Sequence, residues 1–247
     1  MAPIDASQIR VILLDIEGTT TSVDFVYKTL FPYASRKLES FLQEHTEAPE
    51  IQSLIQDLCL QNQEDQRNGL NPPDWSDQLA ESRLRSSIAY GQWLIARDSK
   101  CTPLKSLQGK IWQQGFAKGE LHGEVFPDVP VAFERWRRQK KIVCIYSSGS
   151  VLAQQLLFRT TPAGDLTRHI SLFFDTQVGV KSDPASYSKI AKSFPRAPGE
   201  FLFLSDASRE IEAAKSAGMH ALFCDRSHQD ALLANGVIHD FNGVLPD

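Results

Sequence analysis

The chain has 247 residues, 42% of them hydrophobic, enough for a substantial packed core and too many for disorder to be its default state. Lys and Arg number 26 against 30 Asp and Glu, a net charge of -4, so no global basic field exists to draw in nucleic acid or an anionic membrane. An anionic substrate would need local positive charge, from a metal ion or a few placed side chains.

In chain order, IRVILLDI (9–16) reads as a continuous apolar strand of the kind buried on both faces of a parallel sheet. The next comparable run is KIVCIYS (141–147), much further on than a single crossover helix requires. The interval reads as helical: FVYKTLFPYASRKLESFLQEH, PEIQSLIQDLCLQNQEDQ, WSDQLAESRLRSSIAYGQWLIARD and PLKSLQGKIWQQGFAKGE each space apolar residues three and four apart, with NGLNPPD (68–74) as a joint. After KIVCIYS come ISLFFD (170–175), EFLFLSD (200–206) and HALFCD (220–225), separated by the helical segments SVLAQQLLF, PASYSKIAKSF and ASREIEAAKSAG, the last closing on Gly218. The expected architecture is α/β: a doubly wound, mostly parallel, Rossmann-like sheet core from residues 1–20 and 123–247, with an all-helical domain at 21–122 inserted after the first strand.

Ligands of a doubly wound sheet bind outside the carboxyl ends of its strands. The first run ends at Asp15 and Glu17, and the second at Ser147, Ser148 and Gly149. The third leads into a loop with Lys181, and the fourth ends at Asp206 with Glu210 one helical turn on. Two acids, hydroxyls beside a glycine, a lysine and further acid form an inventory for phosphate and a metal. No basic residue lies between Val11 and Asp24. Carboxylates crowded together resist ionising unless a cation sits among them, so the expected counter-ion is a hard metal such as Mg²⁺, with Asp15 and Asp206 as direct ligands and Glu210 behind them. Each piece has a plainer reading: a turn or helix cap at Asp15, a helix start at Ser147–Ser150, a surface lysine at 181, helix-dipole acids at 206 and 210. The order of all four at successive strand ends favours chemistry.

At these residues the chain resembles the haloacid dehalogenase superfamily, whose motifs are an acid pair before Gly/Thr, a strand-terminal Ser or Thr, a Lys, and an acidic pair. DIEGTTTSVDFVYKTLFPYA (15–34), IWQQGFAKGELHGEVFPDV (111–129), IYSSGSV (145–151), FFDTQVGVK (173–181) and FLSDASREIEAAKSAGM (203–219) look like its enolase-phosphatase branch, of methionine salvage. Glu17, where most of the superfamily has Asp, marks that branch; Asp183 stands where Glu would be expected.

The resemblance implies a Mg-dependent acireductone synthase. It would enolise 2,3-diketo-5-methylthiopentyl-1-phosphate, then remove the phosphate through an aspartyl-phosphate. Asp15, Glu17 and Lys181 would be catalytic, as nucleophile, acid/base and phosphoryl anchor; Ser147, Ser148 and Lys181 would bind substrate. One Mg²⁺ per subunit would be held by Asp15, Asp206 and the backbone carbonyl of Glu17. The helical insert is expected to close over the site and select the methylthio tail. Two rivals stand beside this reading: another Mg-dependent phosphatase of the superfamily, on a sugar or glycolate phosphate, and a signalling module phosphorylated on Asp15.

The basic run RWRRQKK (135–141) is read as a helix C-terminus, not a nucleic-acid patch. The six histidines, His228 among them, show neither HxxxH nor HExxH spacing, which argues against a zinc hydrolase. The four cysteines form no CxxC pair, MAPIDASQIR holds no stretch of signal-peptide length, and nowhere do 18 apolar residues run together. The expectation is a monomeric cytoplasmic enzyme whose partner is a small phosphorylated diketone, with no nucleic acid and no membrane.

Overall fold

The computed structural model describes residues 5–227 and 236–246; the start of MAPIDASQIR and His228 lie outside the described residues. The chain divides into two compact units, Met1–Phe25 with His122–Asp247, and Val26–Leu121.

The first unit is built on parallel strands β1 (Val11–Leu14), β2 (Ile142–Tyr146), β3 (Ile170–Phe174), β4 (Phe201–Ser205), β5 (His220–Cys224) and β6 (Val237–Ile238), ordered β3-β2-β1-β4-β5-β6. This is a doubly wound Rossmann-like sheet, as the recurring apolar runs require. β1 is central: Val11 pairs with Ile142 on one side and Phe201 on the other. Its four residues are buried because both faces of the sheet are covered, which is why the sequence shows a continuous run and no alternation. One face packs Val11, Leu13, Tyr146, Phe201 and Phe203 beneath Tyr187, Ile190, Ile211 and Ala214. The helices there are α7 (Pro184–Lys192) and α8 (Ser208–Ser216). The other face is the side of α5 (Asp128–Arg138) and α6 (Val151–Arg159), whose Phe133 and Phe158 rings lie 6.1 Å apart.

The basic run is largely structural. Arg135 is buried and donates to the carbonyls of Phe241 and Val244, Trp136 Nε1 donates to Val244 O, and Lys141 Nζ donates to the carbonyls of Ala6 and Ile9. β6 has two residues and no counterpart in the sequence reading, because so short an element carries no period.

The second unit packs α1 (Phe31–His45), α2 (Pro49–Arg67), α3 (Ala80–Ala96) and α4 (Thr102–Ala117) around Leu38, Leu42, Ile55, Leu58, Tyr90, Leu94 and Leu107. Two of its helices depart from the sequence reading. Phe25–Leu30 winds as a π-helix ahead of α1, where Pro32 lacks the N–H that would close an α-turn onto Lys28. α3 begins at Ala80, although the apolar spacing starts at Trp75. Ser82 Oγ receives the Leu79 amide and the Ser76 amide donates to Ser86 Oγ, so these side chains take up backbone groups before the helix starts. Among the described residues no helix is long and apolar enough to cross a membrane.

Candidate active site

Strand order reverses at β1, with β2 and β3 on one side and β4 to β6 on the other, so the crevice where ligands bind in such sheets opens at the carboxyl ends of β1 and β4. Asp15 follows β1 directly, its amide still donating to Leu204 O of β4 at 3.0 Å. The chain then turns tightly. The amides of Thr19, Thr20 and Thr21 all reach Ile16 O, Gly18 N donates to Thr21 O, and Thr20 Oγ1 donates to Asp15 O. Gly18 sits at φ +68°, and a Cβ there would come 2.0 Å from Asp206 Oδ2. Glycine is needed on both counts: the left-handed backbone, and the close approach of the turn to the carboxylate that ends β4.

Across the crevice, the Asp206 amide donates to Thr19 Oγ1 at 3.1 Å. Ser205 Oγ accepts the Ala207 amide and donates to Glu210 Oε2 at 2.9 Å, bringing the first turn of α8 against the end of β4. Lys181, from the loop after β3, is 7% exposed and its Nζ lies 2.6 Å from both Asp15 Oδ1 and Glu210 Oε2. Tyr187 OH donates to the Lys181 carbonyl, holding the backbone from which the side chain rises.

The expected counter-ion for these acids is a metal; the cation in direct contact with Asp15 is a lysine remote in sequence. Glu210, expected behind a metal, contacts Lys181 directly. One ammonium still faces three carboxylates. Burial, with the Asp15 charge next, pushes the Asp206 carboxyl up to about 7. The same two causes raise Glu210. Burial alone would depress Lys181, but Asp15 and Glu210 outweigh it and the net shift is upward, so it remains an ammonium ion.

Ser147 is buried at the end of β2, its amide donating to Phe174 O and its Oγ accepting the Gly149 amide. Ser148 is exposed. Helix capping falls to Ser150, whose Oγ accepts the Ala153 amide of α6, so the plainer reading of the serine run holds at Ser150 and Ser147 is not the cap. Asp183 caps α7 through the Ala185 amide. Glu17 is half-buried and its backbone bridges to Thr21. The structure thus joins Asp15, Lys181 and Glu210 by direct contact, sets Asp206 against the same turn, and places Ser147 at the neighbouring strand end. Among the described residues no three His, Cys, Asp or Glu side chains gather into a metal-binding group; Asp15 and Asp206 offer two carboxylates.

Sequence reasoning missed Thr19 and Arg226. Arg226 donates to the Thr19 carbonyl from Nε at 3.0 Å and from Nη2 at 2.8 Å. No spacing rule points to an arginine two residues beyond a strand.

A Rossmann-like sheet with acids ending β1 and β4, a strand-terminal serine and a buried lysine belongs to a recognisable class of hydrolase. The model of the haloacid dehalogenase-like hydrolase family matches residues 9–218, and the chain belongs to that family. Among curated relatives, Enolase-phosphatase E1 of Synechococcus elongatus is 49% identical over 211 residues, covering 85% of this chain and 86% of the relative. Enolase-phosphatase E1 of Drosophila melanogaster is 43% identical over 225 residues, 90% of this chain and 86% of that one. Among solved structures, the Saccharomyces cerevisiae UTR4 protein is similar with a TM-score of 0.75 at 30% identity, over 96% of this chain and 100% of that one.

Proposed function

We propose that the chain is an enolase-phosphatase that enolises 2,3-diketo-5-methylthiopentyl-1-phosphate and then hydrolyses the phosphate ester, giving the acireductone 1,2-dihydroxy-3-keto-5-methylthiopentene. The observation that carries the reading is the buried Asp15–Lys181–Glu210 cluster beside Asp206 at the sheet's switch point. Relatives 43% to 49% identical bear the name enolase-phosphatase, which supports the pairing of the two activities, and the substrate is the one that the resemblance to that branch implies.

Asp15 attacks phosphorus, the ester P–O bond breaks, and the leaving oxygen takes a proton from Glu17. Glu17 then accepts a proton from water, whose oxygen attacks phosphorus and releases the Asp15 carboxylate and inorganic phosphate. Lys181 and Ser147, with the amide of Ser148, hold the remaining phosphoryl oxygens; preorganised donors stabilise the transition state because they need not reorient as charge moves. For enolisation the candidate bases read from the chain are Glu17 and Lys181, and Glu17 is the one that fits, since Lys181 is an ammonium ion with no lone pair to accept the proton.

The donor set suits Mg²⁺. Asp206, resting at about 7 beside Asp15, is a carboxyl short of positive charge, and two carboxylates are what this ion commonly takes from a protein. Asp15, Asp206 and the Glu17 carbonyl would hold one ion per subunit, supplying Lewis-acid charge to a phosphoryl oxygen. In this reading residues 1–20 with 123–247 are the hydrolase core domain and 21–122 the cap domain. The enzyme works in the cytoplasm as a monomer on a small phosphorylated substrate.

The test is incubation with the diketo phosphate and Mg²⁺, following the enol by ultraviolet absorbance and phosphate by release. Both signals are expected. Turnover confined to sugar phosphates or phosphoglycolate would reassign the substrate, and a long-lived phosphoryl-Asp15 without turnover would replace the enzyme with a signalling module. A Glu17→Gln variant that still enolises would move that step to another base.

A further inference from the structure

We propose that Arg226 is a positioning residue of this site, setting where the turn after β1 holds its acids relative to Asp206. The inference rests on the phosphatase reading of the cluster. Arg226 stands two residues beyond β5, its side chain 10% exposed, with the guanidinium carbon 4.3 Å from the centre of the Phe126 ring and 4.6 Å from that of Phe241. Nη1 donates to both carboxylate oxygens of Asp128, at 2.8 and 2.9 Å. Nε and Nη2 both donate to the carbonyl of Thr19. The planar fork sets two parallel N–H donors on one carbonyl while a third nitrogen holds the carboxylate, a spread of donors that an ammonium, with all its N–H groups on one atom, does not reproduce.

Thr19 is fully buried and is held at a second atom, its Oγ1 receiving the Asp206 amide. One residue of the turn is therefore tied to the end of β4 and, through Arg226, to the end of β5 and the first turn of α5. Its neighbour Thr20 donates from Oγ1 to the carbonyl of Asp15 and gives its own carbonyl to the Phe126 amide. Asp128 neutralises the guanidinium and also accepts the Phe241 amide. Arg226 thus acts on the acid cluster by geometry more than by field. Small displacements of a nucleophile are costly, since a shift of about 1 Å can lose about a hundredfold in rate.

The test compares Arg226→Met, which keeps the stem between the two rings, with Arg135→Met, which removes another buried arginine that bonds the carbonyls of Phe241 and Val244. Arg226→Lys, which keeps charge but loses the fork, serves if the Met variant does not fold. Assays run where circular dichroism shows the folded state, with p-nitrophenyl phosphate as well as the diketo phosphate, and Mg²⁺ binding is titrated calorimetrically on substrate-free protein. Arg226→Met or →Lys is expected to lose about tenfold or more in kcat with KM within about threefold, and to bind Mg²⁺ about tenfold more weakly. Arg135→Met is expected to lower Tm and leave kcat and Mg²⁺ affinity unchanged. Wild-type kcat and Mg²⁺ affinity in both Arg226 variants, or equal losses in Arg135→Met, would overturn the proposal. Failure of the wild type on the diketo phosphate alone, with p-nitrophenyl phosphate turned over, would remove the substrate assignment and leave the Arg226 comparison intact.

Discussion

Lys181 is a charge buried to 7% exposure, held by two carboxylates that are themselves mostly out of water. Removing one partner from such a cluster leaves the others uncompensated, so Lys181→Met is expected to cost about 3 kcal/mol of stability, read by urea denaturation, as well as most of the activity. A denaturation midpoint and kcat near wild type would contradict both roles. Asp206 has the opposite character. Its folded carboxyl titrates at about 7 against an ordinary 3.8. Between those values the folded state holds a proton that the unfolded state has released, so metal-free protein should lose stability as pH rises from about 4 to 7. In EDTA-treated samples Asp206→Asn should flatten that slope and raise Tm at pH 7.5, and Mg²⁺ should stabilise the wild type there but not the variant. A Tm that is independent of pH in the metal-free wild type would argue against the shift. Gly18 is fixed by space as well as by backbone conformation: Gly18→Ala would press a methyl group into the Asp206 carboxylate, and loss of Mg²⁺ binding with activity down at least about a hundredfold is expected.

At the scale of elements, the site is a set of strand ends and the turns that follow them, and those turns are held by backbone contacts that reach far along the chain. The return segment before α5 shows this. The Gly123 amide donates to Thr160 at both its carbonyl and its Oγ1, and a Cβ on Gly123 would meet Leu157 O of α6 at 1.9 Å. Backbone cannot yield as a flexible side chain would. Gly123→Ala should therefore cost about 2–3 kcal/mol by overpacking, measured as a fall in the denaturation midpoint, while kcat in the folded fraction stays near wild type. The strands themselves were legible because a parallel sheet buries both faces of its inner strands: β1 and β2 are apolar throughout, β4 is apolar up to Ser205, and β3 and β5 carry one polar residue each, Ser171 and His220. The start of α3 was not, since apolar spacing continues through Trp75 while Ser82 and Ser86 bind the preceding backbone. The π-helix before α1 was also hidden, being a response to one missing N–H at Pro32.

For the whole molecule, burial sorts the cysteines. Burial pushes the thiols of Cys144 and Cys224 up to about 12, and raises Cys59, where a neighbouring Asp77 carboxylate adds to the effect. Cys101 alone of the four is partly exposed, and all four are free thiols. Titration of the native protein with a disulfide reagent at pH 8 should therefore find one fast thiol, lost in Cys101→Ser, and four after unfolding in guanidinium. Two or more fast thiols would mean that the helical unit around Cys59, or the sheet that holds Cys144 and Cys224, opens readily. The sheet, the inserted helical stretch and the residue types of the site could all be read along the chain, because periodicity, burial and strand-end position are local properties that each segment carries on its own. The pairings could not. Lys181 meets Asp15 across 166 positions and Arg226 meets Thr19 across 207, and neither partner's neighbourhood in sequence hints at the other. Such contacts depend on strand order and register, and these are settled only when the elements pack against one another and every buried polar group must find its partner.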